Sequence, residues 1–274
     1  MLTYRYFEKL CKYISENFSI SSFENPSFNN VLKTIYIKHD VECKPKKALR
    51  IAKIEYKYHI VSTFYVQAYL MNKKNLNCFK AIEKMGHRIS YHHDVMDYAH
   101  GDIKIAREEF QKNIELFHNF GFSFKTVCQH GNPLIQRIGY NSNRDFFRDN
   151  SNRQKYIDLK EIMLDLPSII GEPFVFVSDA GRQWKWIRDP LNGDLQNSDK
   201  HDIKINDIFV FLKNNADKGP YVISSHPHRF ANSSLFAFLK TIIFSIIKVI
   251  AKVLYKIPIF KKIFSKYYYL AKKI

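Results

Sequence analysis

Residues 35–42 read Ile35-Tyr36-Ile37-Lys38-His39-Asp40-Val41-Glu42, "IYIKHDVE", a segment that starts like a buried strand and ends in charge. Its first residues are β-branched and aromatic, types that fit a covered, pleated surface. In an extended chain alternate side chains share a face, so Asp40 and Glu42 point the same way. Two carboxylates that close repel each other unless a cation or a shared proton lies between them. A strand that delivers both acids to one end therefore requires positive charge there.

The same pattern recurs outward from this segment. Strands are expected at 34–41, 61–68, 87–93, 124–130, 173–179 and 220–226. Stretches with helical spacing separate them. After the first strand, Pro45 suits a first helical turn, and Ala48, Ile51 and Ala52 follow at helical spacing. Before the fourth, Ile105, Phe110, Ile114 and Phe117 form an apolar stripe that Gly121 can cap. Strand and helix in alternation predict an α/β fold with a parallel sheet or barrel. Residues 141–160, rich in Asn, Arg and Asp, read as a long polar loop or excursion. Active sites of such folds gather at the carboxyl ends of the strands. Five of the expected strands end in chemistry-bearing groups: His39, Asp40 and Glu42; His92, His93 and Asp94; His130 and Asn132; Asp179, Arg182 and Trp184; His226 and His228. Imidazole and carboxylate together suit a divalent metal such as zinc with a position open to water. A metal would also neutralise the clustered acids.

A chain of 274 residues accommodates one large domain, or one domain with an appendage. High aromatic content and few glycines exclude extensive disorder. The formal charge of +17 suggests an anionic partner, but the excess is uneven. Residues 1–217 hold 32 basic and 26 acidic side chains, whereas the 57 positions after Asp217 hold 11 Lys or Arg and no acid. From Leu235 onward the sequence is mostly apolar, with Lys248, Lys252 and Lys256 spaced to lie along one side of a helix that Pro258 should break. No uninterrupted apolar run approaches the 18 or so residues of a spanning helix. A basic amphipathic segment over 235–274 suits the plane of a membrane surface; the competing expectation is a helix packed on the barrel with lysines outward. No nucleic-acid motif accompanies the charge, so nucleic acid is not an expected partner. The cysteines Cys11, Cys43, Cys78 and Cys128 lack metal-binding spacing, and the N-terminus is charged and helical rather than a secretory leader. Both features predict a cytoplasmic protein with reduced thiols, and the basic tail over 235–274 places it peripherally at the inner face of the cytoplasmic membrane.

Taken in order, "IKHDVE", "ALRIAKIEYKYHIVSTFYV", "GHRISYHHD", "CQHGNP", "SDAGRQW" and "SSHPHRF" make the chain resemble the polysaccharide deacetylase (NodB-homology, carbohydrate esterase family 4-like) superfamily over roughly residues 30–230. The similarity is to its HDVD-type branch, associated with bacterial surface-polysaccharide biosynthesis. The resemblance implies a distorted (β/α) barrel of about seven strands over 31–231, between an N-terminal helical segment, 1–30, and a basic tail, 232–274. It implies metal-dependent removal of an acetyl group from an N- or O-acetylated sugar. By the same resemblance Asp40 is the general base, Glu42 replaces a metal-binding aspartate, His92 is a metal ligand and His226 is the general acid. Two departures stand out: Val41 separates the acids, and Met96 occupies the place of the family's second motif histidine. The third ligand is then His130 or Asp94. His130 is the choice here, since a neutral nitrogen leaves the metal more electrophilic. Asp94, Asn132, Asp179, Arg182 and Trp184 are expected to bind substrate, the indole stacking on a sugar face and Arg182 meeting a carboxylate or phosphate. His228 and Arg229 are expected in a solvated turn. The alternative function is a catalytically inactive, deacetylase-like glycan-binding or scaffold protein of a polysaccharide assembly complex.

Overall fold

Thr34–Val41 is a strand buried at all eight positions, so both of its faces are covered. The computed structural model that shows this describes residues 2–27, 31–132, 135, 137–195 and 202–254. In chain order the elements are α1 (Tyr4–Asn17), β1 (Ser19–Ser21), β2 (Thr34–Val41), α2 (Pro45–Lys57), β3 (Thr63–Val66), α3 (Lys73–Lys84), β4 (Arg88–His93), α4 (Val95–Tyr98), α5 (Ile103–Asn119) and β5 (Thr126–Gln129). There follow α6 (Asp145–Arg148), α7 (Asn150–Lys155), β6 (Lys160–Glu161), α8 (Ile162–Ile170), β7 (Val175–Ser178), β8 (Lys185–Ile187), β9 (Ile203–Lys204), α9 (Ile208–Asn214), β10 (Tyr221–Ser225) and α10 (Ser234–Leu254).

The strands form one sheet in the order β6-β5-β4-β3-β2-β10-β7-β8-β9, with β1 also beside β2. All pairings are parallel except β7 with β8 and β8 with β9. In place of about seven strands there is a largely parallel mixed sheet of ten, and no ladder joins β6 to β9 among the described residues. From β2 the chain adds β3, β4, β5 and β6 successively on one side, then returns to place β10 on the other. Strand order reverses at β2, and such a switch point leaves a crevice at the carboxyl ends of the strands.

Alternation along β2 sorts its side chains between two cores. Ile35, Ile37 and Val41 join the main cluster with Phe7, Leu10 and Ile14 of α1, Ala48 and Ile51 of α2, and Phe110 and Phe117 of α5. Tyr36 joins a second cluster with Tyr65, Cys128, Leu166, Phe176 and Val222. Lys38 and Asp40 continue the Tyr36 face, so the polar site lies directly beyond the second core. The N-terminal segment is part of the same body: α1 packs in the main core, Tyr4 N donates to Ala231 O at 3.1 Å and Ala231 N donates to Leu2 O at 3.0 Å.

Two local expectations change. The stretch 141–160 is not a simple loop. Phe146, Phe147 and Tyr156 bring α6, α7 and the turn after them onto Phe110, with ring centroids 4.5, 5.4 and 4.9 Å away. Three aromatic rings suffice to fold a polar stretch onto the core. On α5, Ala106 takes the buried position while Ile105 is exposed.

Candidate metal centre

Five groups converge at the carboxyl ends of neighbouring strands: Asp40 from β2, Glu42 just after it, His92 from β4, His130 just after β5 and His226 just after β10. Glu42 is their centre. Its Oε1 lies 3.2 Å from His130 Nε2 and 3.5 Å from His226 Nε2, and its Oε2 lies 4.0 Å from His228 Nε2. Burial alone would raise the Glu42 pKa, but His226 and His130, then His228, outweigh it and hold the carboxyl well below its usual range.

Asp40 finds its positive partner within its own strand. Lys38 Nζ is 2.9 Å from each of the two carboxylate oxygens of Asp40 and 3.2 Å from Cys128 Sγ. Burial pulls the ammonium's pKa down; Asp40 and Cys128 reverse the sign, so Lys38 stays charged. Burial likewise raises Asp40, and Lys38, His92 and His226 together bring it below its ordinary value. The two acids of the opening strand therefore avoid repulsion separately, one against an ammonium and the other among imidazoles.

Two overlapping trios have ligand atoms within 4.8 Å of one another: Glu42, His92 and His130, and Asp40, His92 and Cys128. Ligands of a tetrahedral zinc lie roughly 3.4 Å apart at bond lengths near 2.1 Å, so either trio could close on an ion with modest side-chain movement. His92 is prepared for that role. Its Nδ1 lies 3.0 Å from Cys128 O, a pure acceptor, so Nδ1 carries the proton and Nε2 the lone pair. Burial pushes the His92 pKa down to about 3, which keeps the ring neutral. His130 Nδ1 is buried without a hydrogen-bond partner. The Lys38 ammonium already sits against Asp40 and Cys128, so the second trio holds a cation of the protein's own. The Glu42, His92 and His130 donor set fits a divalent metal; Asp94 belongs to neither trio.

On the opposite side of the crevice, Asp179 is fully buried and fixes His226 twice. It accepts from His226 Nδ1 at 2.6 Å and from His226 N at 3.0 Å. Burial would raise the Asp179 carboxyl, but Arg229, 2.8 Å away, and His226 bring it down to about 2. An ionised carboxylate only accepts, so the His226 proton sits on Nδ1, and Nε2 faces the acids, 3.8 Å from Asp40 Oδ2.

Several expected substrate residues take other roles. Asp179 is inaccessible and serves His226. Trp184 is 5 % exposed and packs in the main core, so its ring faces are not open to a sugar. It borders a cleft whose lining includes Arg182 but none of the five converging groups. Asn132 is buried, its carbonyl accepting from Arg137 at 3.2 Å. Asp94 is half-buried at the start of α4 and raises the Tyr69 pKa together with Cys43 and Glu42, burial being the largest cause. Tyr69 in turn donates to the Glu42 carbonyl. His228 and Arg229 do not form a solvated turn. His228 sits by Glu42 with its pKa pushed by burial down to about 3, and Arg229 holds Asp179.

Strand alternation removes His39 and His93 from the site. His39 bonds Ser225 Oγ and Glu55 Oε1, both at 2.8 Å, and His93 Nε2 lies 3.4 Å from Glu161 Oε2. Lys38 was legible by that same alternation, sharing a face with Asp40 and Glu42. Cys128 and Arg229 carry no signal of their own in the sequence, and His228 is marked there only as an imidazole after a strand end. Searches of family models and of curated proteins give no match to this sequence.

Proposed function

We propose that the protein is a metal-dependent hydrolase that removes an acetyl group from an N- or O-acetylated sugar, a polysaccharide deacetylase of bacterial surface-polysaccharide biosynthesis. One observation carries this reading: a Glu42, His92 and His130 trio lies beside an ionised Asp40 and a His226 whose tautomer Asp179 fixes. The ordered motifs of the sequence support it. On this reading the sheet is the wall of a distorted (β/α) barrel, and the Tyr36, Tyr65 and Cys128 core fills the space beneath the site.

Glu42, His92 and His130 would hold the cation, and two imidazoles with one carboxylate favour zinc. Such a cation supplies a Lewis acid for the acyl oxygen and lowers the pKa of water. Asp40, kept ionised by Lys38, takes the proton of the attacking water. In its doubly protonated form His226 presents Nε2–H to the same space and hands that proton to the departing amine or alcohol, the remaining proton staying on Nδ1 against Asp179. Asp179 keeps that nitrogen aimed, and Arg229 keeps Asp179 charged. Asp94, half-buried at the start of α4, remains the candidate for substrate contact near the rim.

A second reading is a non-catalytic glycan-binding or scaffold protein. One feature favours it: an ammonium 2.9 Å from each of Asp40's oxygens weakens that carboxylate as a base. Metal analysis of the purified protein, paired with an acetate-release assay on acetylated sugars, separates the two. The hydrolase should bind about one divalent ion per chain, and Asp40→Asn should lower acetate release by roughly 10²–10⁴-fold. A protein that binds no divalent ion, or that is metal-loaded yet releases no acetate from any acetylated glycan, would overturn the hydrolase reading.

A further inference from the structure

Helix α10 presents an apolar surface that the rest of the described chain does not cover. Leu235, Phe236, Phe238, Leu239, Ile242, Ile243 and Ile246 are all exposed, while Ala237 is buried. At 100° per residue the exposed set spans an arc of roughly 160°, with Ala237 on the opposite side. The helix thus rests on the body through one side and turns a broad apolar face outward. Scattered surface apolar residues need no explanation, but a contiguous face does.

The charge around that face has one sign. The cleft at the root of α10 is bordered by Phe238 and Thr241 and includes Arg182 and Lys204, with no acidic residue in its lining. Arg182 is held there with a left-handed backbone, φ +66°, a conformation that costs energy for a non-glycine residue. On the other flank Lys47 Nζ donates to the carbonyls of His228 and Phe230, at 2.9 and 2.5 Å, and Lys240 lies near it. With Lys47 held by the body, the neighbouring ammonium of Lys240 gains from an anionic surface. In sequence, all 57 positions after Asp217 lack an acid. No described helix is long and apolar enough to cross a membrane.

We infer that α10 lies in the plane of an anionic phospholipid surface, its apolar arc among the acyl chains and Arg182, Lys204 and Lys240 against the lipid phosphates. Apolar area plus cationic flanks is the combination that interfacial helices use. This inference does not depend on the proposed catalytic chemistry.

Flotation of the full chain with phosphatidylglycerol-containing vesicles, and with phosphatidylcholine vesicles as reference, tests it. Binding to the anionic vesicles should exceed binding to the neutral ones at least tenfold and fall with added salt. Ile242→Glu with Ile246→Glu, both at exposed positions, should abolish flotation without shifting the thermal melt. Lys204→Gln should weaken it about fivefold, the effect of one lysine near an anionic surface. Equal binding to both vesicle types overturns the inference, as does flotation that survives the paired substitution. A vesicle-free dimer that the same pair dissolves would assign the face to a second copy and also overturn it.

Discussion

Replacing Lys38 by methionine tests the electrostatic core of the site. The ammonium is 2.9 Å from both oxygens of Asp40, and the two side chains are 3 % and 10 % exposed. Removing one member of a buried ion pair costs about 3–5 kcal/mol, because the other charge stays buried and unpaired. The cost must depend on pH, and the sign follows from the shifts. In the native protein Asp40 lies below its ordinary pKa, so its contribution to stability is present above about pH 4 and disappears as pH falls through the lowered folded value. In Lys38→Met, burial, the largest influence on Asp40, is opposed only by His92 and His226, and the folded pKa moves up. Above the unfolded pKa the variant then binds a proton on folding and loses stability as pH rises, by up to about 1.4 kcal/mol per pH unit, until the raised folded value is passed.

Urea denaturation of both proteins between about pH 4 and 8 reads this directly. The stability gap should be smallest at the acid end, widen with pH and level off near the full pair-breaking cost. The double variant Lys38→Met with Asp40→Asn should recover most of the loss, since neutral partners leave no buried charge. A gap that is the same at every pH, or stays under about 1 kcal/mol throughout, would refute the assignment of Lys38 as the counter-charge of Asp40.

Asp179→Asn removes the carboxylate that fixes His226 Nδ1; kcat for acetate release should fall at least about a hundredfold while the bound metal stoichiometry stays unchanged, and an unaltered kcat would separate Asp179 from His226 function. Trp184→Ala should act as a core truncation, costing about 3–5 kcal/mol in chemical denaturation. A folded, equally stable Trp184→Ala protein with a raised KM would instead return the indole to the sugar site.

The legible part of the fold was the part set by alternation and helical spacing. The first expected strand matches β2 at Thr34–Val41, and Pro45 does open α2. The other expected strands shrink by one to four residues in all at their ends, where the apolar pattern continues after backbone pairing stops. Strands β1, β6, β8 and β9 have two or three residues each, too few for a period to register. In the site, strand ends gave Asp40, Glu42, His92, His130 and His226 because position along a strand fixes both depth and face. Trp184 escaped because an aromatic residue in a loop can fill a core or face a ligand, and the sequence pattern is the same for both. His228 and Arg229 escaped because their placement depends on the turn Pro227–Arg229, which bends them back over Glu42 and Asp179 and leaves no periodic trace.

Charge bookkeeping narrows which trio receives the cation. His92 belongs to both, but with Nδ1 committed to the Cys128 carbonyl it has one lone pair to offer. Only one ion can use it. Taking the Asp40 and Cys128 side means displacing a buried ammonium from two close contacts and leaving it unpaired, at several kcal/mol. Taking the Glu42 and His130 side displaces nothing charged, and Glu42 gains the partner its imidazoles only partly provide. Lys38 with Asp40 and Arg229 with Asp179 are each neutral pairs, so a divalent ion beside the single charge of Glu42 leaves the crevice at a net charge of about +1. That surplus favours a transition state in which negative charge builds on an acyl oxygen, the largest electrostatic requirement of acyl hydrolysis. On the proposed reading, Lys38 both anchors the base and steers the metal away from it.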